Sequence, residues 1–268
     1  MIFLDEKFKK FWFEKDPFLE VQKLDGDTFR NLENRRTLRF EVNGNGFFLK
    51  YHKGVGWREI FKNLMVLKMP VLGAGNEYKA ICHLEELGLS TAKVTAFGRR
   101  GKNPAKRRSF IITKELVNTL SLEDFCRDWQ QNPPSFALKK LLIEKLARIS
   151  RQMHNNGINH RDYYICHFLL DVSSLKDKSK PEDIELYLID LHRAQIRDKT
   201  PRRWIIKDLA GLWFSAMDVG LSKIDLFRFI TAYSGGNVRD IFNKEKKFWN
   251  QVHKRACRLY QKIRNNEE

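Results

Sequence analysis

The chain has 268 residues and carries 50 Lys and Arg against 33 Asp and Glu, a formal net charge of +17. That length supports one large domain or two modest ones around a sizeable core, and 42% hydrophobic with 12% aromatic residues exclude a disordered or low-complexity chain. The positive excess calls for an anionic partner, whether nucleic acid, lipid headgroup, phosphorylated substrate or acidic protein, without choosing among them. Cys82, Cys126, Cys166 and Cys257 lie too far apart in sequence for a metal-ligand pair or a disulfide framework, which predicts reduced thiols in a cytosolic protein. Charges from Asp5 to Lys10 interrupt any signal-peptide pattern, and the most apolar stretch, Leu209 to Met217, is too short to span a bilayer.

Alternation governs the early chain. Leu38, Phe40 and Val42 share one strand face, as do Phe47, Leu49 and Tyr51, with the turn former Asn43-Gly44-Asn45-Gly46 between them, so 36–52 reads as a β-hairpin. The period places Lys50 on the opposite face, beside Phe48 and His52; a solvated edge-strand lysine would look the same. Helical spacing follows at 57–68 (Ile60, Phe61, Leu64, Leu67) and at 76–87, where Asn76 is the expected N-cap, Glu77 lies in the first turn and Gly88 is the stop. Strands are expected at 93–98 and 109–116, joined by the densest basic patch of the chain: Arg99, Arg100, Lys102, Lys106, Arg107 and Arg108.

From Ser121 helices dominate. Ser121-Leu-Glu-Asp124 reads as a capping box whose helix ends at Pro133-Pro134, and a longer helix runs from about Phe136 to Asn156, stopped by Gly157. A polar loop, Ser173 to Glu182, precedes a short buried strand at Leu186 to His192 that ends in the Asp190 carboxylate. The tail is a basic amphipathic helix with Trp249, Val252, Ala256, Leu259 and Ile263 as its stripe.

His160-Arg161-Asp162 after the long helix, and Asp190 closing an apolar strand further on, form a pair of carboxylates of the kind phosphoryl transfer requires. One orients the attacking hydroxyl and the other holds a metal ion on the phosphates. Lys50 on a strand with Glu77 on a following helix supplies the remaining parts, a cation for the nucleotide phosphates and a carboxylate to position it; Glu85 and Glu86 are rival partners. Order, element type and spacing predict an α+β, bilobal protein-kinase-like fold, with a β-rich N-lobe at 1–117 and a mainly helical C-lobe at 118–268. Asp208 reads either as a carboxylate bracing the catalytic loop or as an ordinary N-terminal helix charge.

Several features depart from protein kinases. His167 stands where they carry a second metal-binding asparagine, and imidazole suits softer ions than magnesium. Asp25-Gly26-Asp27-Thr28-Phe29-Arg30 replaces the glycine loop, Tyr164 replaces a lysine, and no Ala-Pro-Glu follows Asp190. A small-molecule or glycolipid hydroxyl is therefore expected as the acceptor in place of a protein.

The segments Arg36-Thr-Leu-Arg-Phe-Glu41, Met69-Pro-Val-Leu-Gly-Ala74, Asn159-His-Arg-Asp162, Ile165-Cys-His-Phe-Leu-Leu170, Ile189-Asp-Leu-His-Arg-Ala-Gln195 and Pro201-Arg-Arg-Trp204 together resemble the lipopolysaccharide core heptose kinase family. The resemblance spans nearly the whole chain. It implies an enzyme dependent on ATP and Mg2+, peripheral on the cytoplasmic face of the inner membrane, phosphorylating the first heptose of the inner core at O-4. On that match Asp162 is the catalytic aspartate and Asp190, with His167 as a further candidate, the metal ligand. Lys50 and Glu77 grip the nucleotide; Phe48, Leu116 and Val117 line it; Arg193, Arg197, Arg202 and Arg203 lie near the transferred phosphate or form a solvated basic loop. The resemblance also implies acyl carrier protein as a partner, and the positive charge then serves an anionic membrane surface.

Three other expectations remain at this level: a kinase of the same fold acting on another glycolipid, such as a Kdo kinase; a pseudokinase or basic scaffold, favoured by His167 and the missing glycine loop; and a nucleic-acid module. The last leaves Asp162, Asp190 and Glu77 unexplained and shows no recognised binding pattern, so no nucleic-acid partner is expected.

Overall fold

The computed structural model describes residues 1–32, 34–65, 73–176, 180 and 183–267. The end of the helix expected at 57–68, most of the block at 69–74 and part of the polar loop at 173–182 lie outside the described residues. The chain forms two compact units, the first from Met1–His83, Ala92–Leu116 and Leu191–Arg193, the second from Leu84–Thr91, Val117–Asp190 and Ala194–Glu268.

The first unit contains β1 (Ile2–Leu4), α1 (Glu6–Phe11), α2 (Pro17–Lys23), β2 (Asp27–Leu32), β3 (Arg35–Val42), β4 (Asn45–His52), α3 (Gly56–Met65), most of α4 (Gly75–Glu86), β5 (Val94–Arg100) and β6 (Arg108–Lys114). Its strands make one antiparallel sheet in the order β1-β5-β6-β4-β3-β2. The hairpin pairs Arg35 with His52 through to Val42 with Asn45. Asn43 and Gly44 both adopt positive φ, 49° and 69°, the turn geometry whose twist matches that of the flanking strands. Leu38, Phe40, Val42, Phe47, Leu49 and Tyr51 pack with Phe8, Trp12, Phe18 and Val21 on one face of the sheet. The strand period sends Phe48 and Lys50 to the other face. There Tyr78 of α4 stacks on Phe97 of β5, with ring centroids 4.1 Å apart.

The second unit contains β7 (Thr119–Ser121), α5 (Leu122–Phe125), α6 (Phe136–Asn155), β8 (Ile158–Asn159), β9 (Phe168–Asp171), β10 (Leu186–Leu188), β11 (Gln195–Ile196), α7 (Arg202–Ser215), α8 (Lys223–Ser234) and α9 (Val238–Glu267). Two small sheets, β10-β9-β7 and β11-β8, carry the loops of interest, and Leu209, Ala210, Ile230, Ile241, Trp249, Val252 and Ala256 bind α7, α8 and α9 into one core. The mixed α+β architecture expected from sequence is thus present.

Local details differ. The helix opened by Ser121 is one turn long, Leu122–Phe125, and gives way to turns well before Pro133. The cap itself forms, with Ser121 accepting from the Asp124 amide, but Cys126, Asp128, Trp129 and Asn132 are poor helix formers and the turn does not propagate. The strand expected at 186–192 ends at Leu188, because Asp190 adopts φ 60°. The α9 stripe is buried at Trp249, Val252 and Ala256, half-buried at Leu259 and exposed at Ile263.

Candidate active site

Each unit holds one group of the residues singled out from sequence. In the first, Lys50 leaves β4 on the face away from the aromatic core, and its Nζ lies 2.7 Å from Oε1 of Glu77 in the first turn of α4. Side-chain exposure is 21% for Lys50 and 6% for Glu77, so the pair is less screened by water and salt than a surface ion pair, at a desolvation cost that offsets part of the attraction. The second Glu77 oxygen, Oε2, is buried with no hydrogen-bond partner among the described residues. Phe48 is half-buried and meets the exposed ring of Phe29 on β2 at 5.7 Å between centroids. Sequence reading placed Phe29 only in the segment replacing a glycine loop; its contact with Phe48 needs the β2–β3–β4 register. Leu116 is half-buried and Val117 exposed.

In the second unit the chain leaving α6 turns at Gly157, which takes φ 78° and passes so close to the Arg197 backbone that a Cβ would stand 1.5 Å from its carbonyl oxygen. No other residue fits there. The chain then reaches His160-Arg161-Asp162. Arg161 adopts φ 78° and Asp190 φ 60°, conformations that cost a non-glycine residue on the order of 1 kcal/mol or more.

A buried brace imposes this backbone. Asp208, fully buried in the second turn of α7, accepts the His160 amide at 2.6 Å and the Arg161 amide at 2.8 Å. Its depth in the helix and these bonds make it the support of the loop rather than an N-terminal helix charge. His154 of α6 brings Nε2 to 3.5 Å from the same carboxylate and pairs Nδ1 with the Tyr233 hydroxyl at 2.9 Å. The Tyr163 hydroxyl bonds Ser150 of α6 at 2.8 Å, and burial pushes the Tyr163 phenol above its usual range. None of these α6 and α8 partners left a motif in the sequence.

The segment carrying Asp190 is tied to the same loop. His160 Nε2 faces the Ile189 carbonyl at 2.9 Å and so donates to it, while the Ile189 amide donates to the His167 carbonyl at 3.0 Å. Burial lowers the His160 imidazole below the ordinary histidine range. His167 Nδ1 donates to the Asp162 carbonyl at 2.7 Å and directs Nε2 toward Asp190, 3.8 Å from Oδ2. Two histidines therefore join the carboxylate-bearing segments, His160 by a hydrogen bond to Ile189 and His167 by its bond to the Asp162 carbonyl and its approach to Asp190. Asp162, His167 and Asp190 are each half-buried, accessible to a substrate yet partly withdrawn from water.

The arginines expected near the transferred phosphate each have their own contacts. Arg197 is committed to Asn159 and Gln195, each at 2.6 Å. Arg202 lies over the Phe248 ring at 5.2 Å. Arg203 instead joins Arg161 and Lys207 around the indole of Trp204, at 5.6, 5.3 and 5.5 Å from its centroid. Arg193 is half-buried and belongs to the first unit. Lys207 went unnoticed in the sequence because only the helix period brings it beside Trp204.

An antiparallel sheet bearing a buried lysine–glutamate pair, together with a helical unit whose braced loop carries His-Arg-Asp, is the fold of a protein-kinase-like phosphotransferase. Residues 19–233 match the model of the lipopolysaccharide kinase (Kdo/WaaP) family. The chain is 49% identical over 259 residues to the lipopolysaccharide core heptose(I) kinase WaaP of Escherichia coli, covering 97% of each chain. It is 48% identical over 260 residues to that of Pseudomonas aeruginosa, covering 97% of this chain and 96% of the other. A solved structure described as WaaP in complex with acyl carrier protein superposes with a TM-score of 0.83 at 43% identity, covering 97% of this chain and 99% of that one. The chain belongs to the lipopolysaccharide kinase (Kdo/WaaP) family, and it is a kinase.

Proposed function

We propose that the protein transfers the γ-phosphoryl group of ATP to a heptose hydroxyl of the lipopolysaccharide inner core, O-4 of the first heptose. Near-complete coverage of curated heptose(I) kinases at 48–49% identity carries the substrate assignment. Asp162 accepts the proton of the sugar hydroxyl and aligns its oxygen with the γ-phosphorus. Lys50, held by Glu77, binds the α- and β-phosphates. Phe48, Leu116 and Val117 line the adenine, and Arg203 in the cationic cluster at Trp204 is the strongest of the arginines for the acidic acceptor; Arg197 is already engaged.

The donor set suits Mg2+ bound chiefly by nucleotide phosphates and water. Asp190 offers a hard oxygen, and His167 Nε2, 3.8 Å from Asp190 Oδ2, is an imidazole that magnesium disfavours. Asp190 is thus the proposed protein ligand, with His167 orienting it. When bound, the ion neutralises phosphate charge.

Among the described residues no helix is long and apolar enough to cross a membrane. We place the enzyme peripherally on the cytoplasmic face, where an anionic surface attracts its +17 charge. The same charge suits an acidic acyl carrier protein, the partner named for the structural neighbour.

The test is phosphate transfer from radiolabelled ATP to heptose-bearing core lipopolysaccharide, with phosphorus NMR locating the product phosphate. Asp162→Ala is expected to lower turnover by about 10²–10⁴-fold with thermal stability retained. Undiminished turnover overturns the assignment of Asp162, and a phosphate on another carbon overturns O-4.

A further inference from the structure

The first unit carries an exposed apolar ridge that neither its core nor the proposed chemistry uses. α3 buries Ile60, yet Trp57, Phe61 and Met65 are 48%, 58% and 85% exposed. Their spacing of four stacks them along one helix face, and the Trp57 and Phe61 rings lie 5.8 Å apart at 29°. Exposed Arg58 and Lys62 flank them.

Beside this ridge lies the densest basic patch. The Gly56 amide, opening α3, donates to the Ala105 carbonyl at 3.0 Å. Gly54 approaches the same carbonyl so closely that a Cβ would stand 2.7 Å from its oxygen. The loop so attached is internally ordered, with Arg107 donating to the Gly101 and Lys102 carbonyls, and it leaves Lys102, Lys106 and Arg108 exposed.

We propose that α3 and the 101–108 loop form a membrane-docking surface, with Trp57, Phe61 and Met65 entering the headgroup region of an anionic bilayer and the loop cations meeting lipid phosphates. Aromatic and thioether side chains on one face, with Lys and Arg at its margin, are the pattern of an interfacial helix. Stable peripheral attachment takes two such signals, an apolar one and a polybasic one, and here they are joined by a backbone hydrogen bond. A second copy is the poorer occupant, since apposing two ridges would bring two cationic loops together. The inference rests on the reading that the acceptor is a membrane glycolipid, and explains how the enzyme stays at its surface.

Binding is measured by co-sedimentation of the full chain with vesicles of phosphatidylcholine, alone or mixed with phosphatidylglycerol, with neither ATP nor acceptor present, so that failure of phosphate transfer does not bear on it. The chain is expected to bind the mixed vesicles only. Trp57→Ser with Phe61→Ser and Met65→Ser is expected to weaken partitioning by about tenfold or more, and Lys102→Glu with Lys106→Glu to weaken it and flatten its salt dependence. Trp57→Phe keeps the ridge apolar, so it should bind but lose the part of brominated-lipid quenching that Trp57 contributes among the six tryptophans. No vesicle binding, unchanged binding by the serine variant, quenching undiminished in Trp57→Phe, or a wild-type dimer dissolved by the serine variant would each overturn the proposal.

Discussion

The two halves of the machinery are built on opposite principles. In the first unit Lys50 and Glu77 extend from a regular strand and a regular helix, and their 2.7 Å contact follows from alternation on β4 and the start of α4. In the second, Arg161 and Asp190 occupy left-handed backbone, held by the Asp208 carboxylate and by the His160 and His167 bonds. Regular elements satisfy their own backbone groups, so a functional side chain can be added to them cheaply. An irregular loop satisfies them only through side chains from elsewhere, and those side chains become as necessary as the ones the loop presents.

The sharpest way to break this contrast is Asp208→Ala. Removing the acceptor of two buried amides is expected to cost about 3–5 kcal/mol, read as a lowered midpoint in urea. Asp208→Asn, which keeps one acceptor oxygen, should lose less stability yet still impair turnover; wild-type activity in Asp208→Asn would mean the loop needs no carboxylate.

Glu77→Gln is the counterpart in the first unit. The amide keeps the shape and a hydrogen bond to Lys50 but not the charge, so ATP KM is expected to rise about tenfold, equivalent to 1.4 kcal/mol, with little change in folding. A fall in stability as large as that of Asp208→Ala would erase the distinction between the units.

The smallest effect concerns pH. Burial, with Arg35, Lys50 and His192 nearby, pushes His52 down to about 4. Since an unfolded histidine titrates near 6.5, its contribution is present above that value and lost as pH falls toward 4. Between pH 7 and 5.5 the loss is about 1 kcal/mol, and His52→Gln should remove that part of the slope in urea titrations at the two pH values.

Much of the site was legible because its residues lie on periodic elements or in contiguous motifs. Lys50 was placed by strand alternation, Glu77 by its position in a first helix turn, Asp162 by a short motif and Asp190 by its place at the end of an apolar strand. The brace was only half legible: Asp208 stood as one of two readings, and His154, Tyr233 and Ser150 had none. The arginines show the limit from the other side. As neighbours in sequence they read as one basic stretch, and only the structure gives each its own partner, Asn159 for Arg197, Phe248 for Arg202 and Trp204 for Arg203, because side-chain direction depends on which surfaces the fold brings alongside.

The sequence by itself determined the fold class, the hairpin and the identity of the charged groups suited to phosphoryl transfer, since each depends on local period or spacing. Only the tertiary structure decided what restrains them. The carboxylate that braces the His160–Asp162 loop, the histidine that bonds the Asp162 carbonyl and faces Asp190, and the backbone bond that sets an exposed aromatic ridge against the basic loop all join residues apart in the chain, where packing and hydrogen-bond satisfaction act and periodicity carries no information.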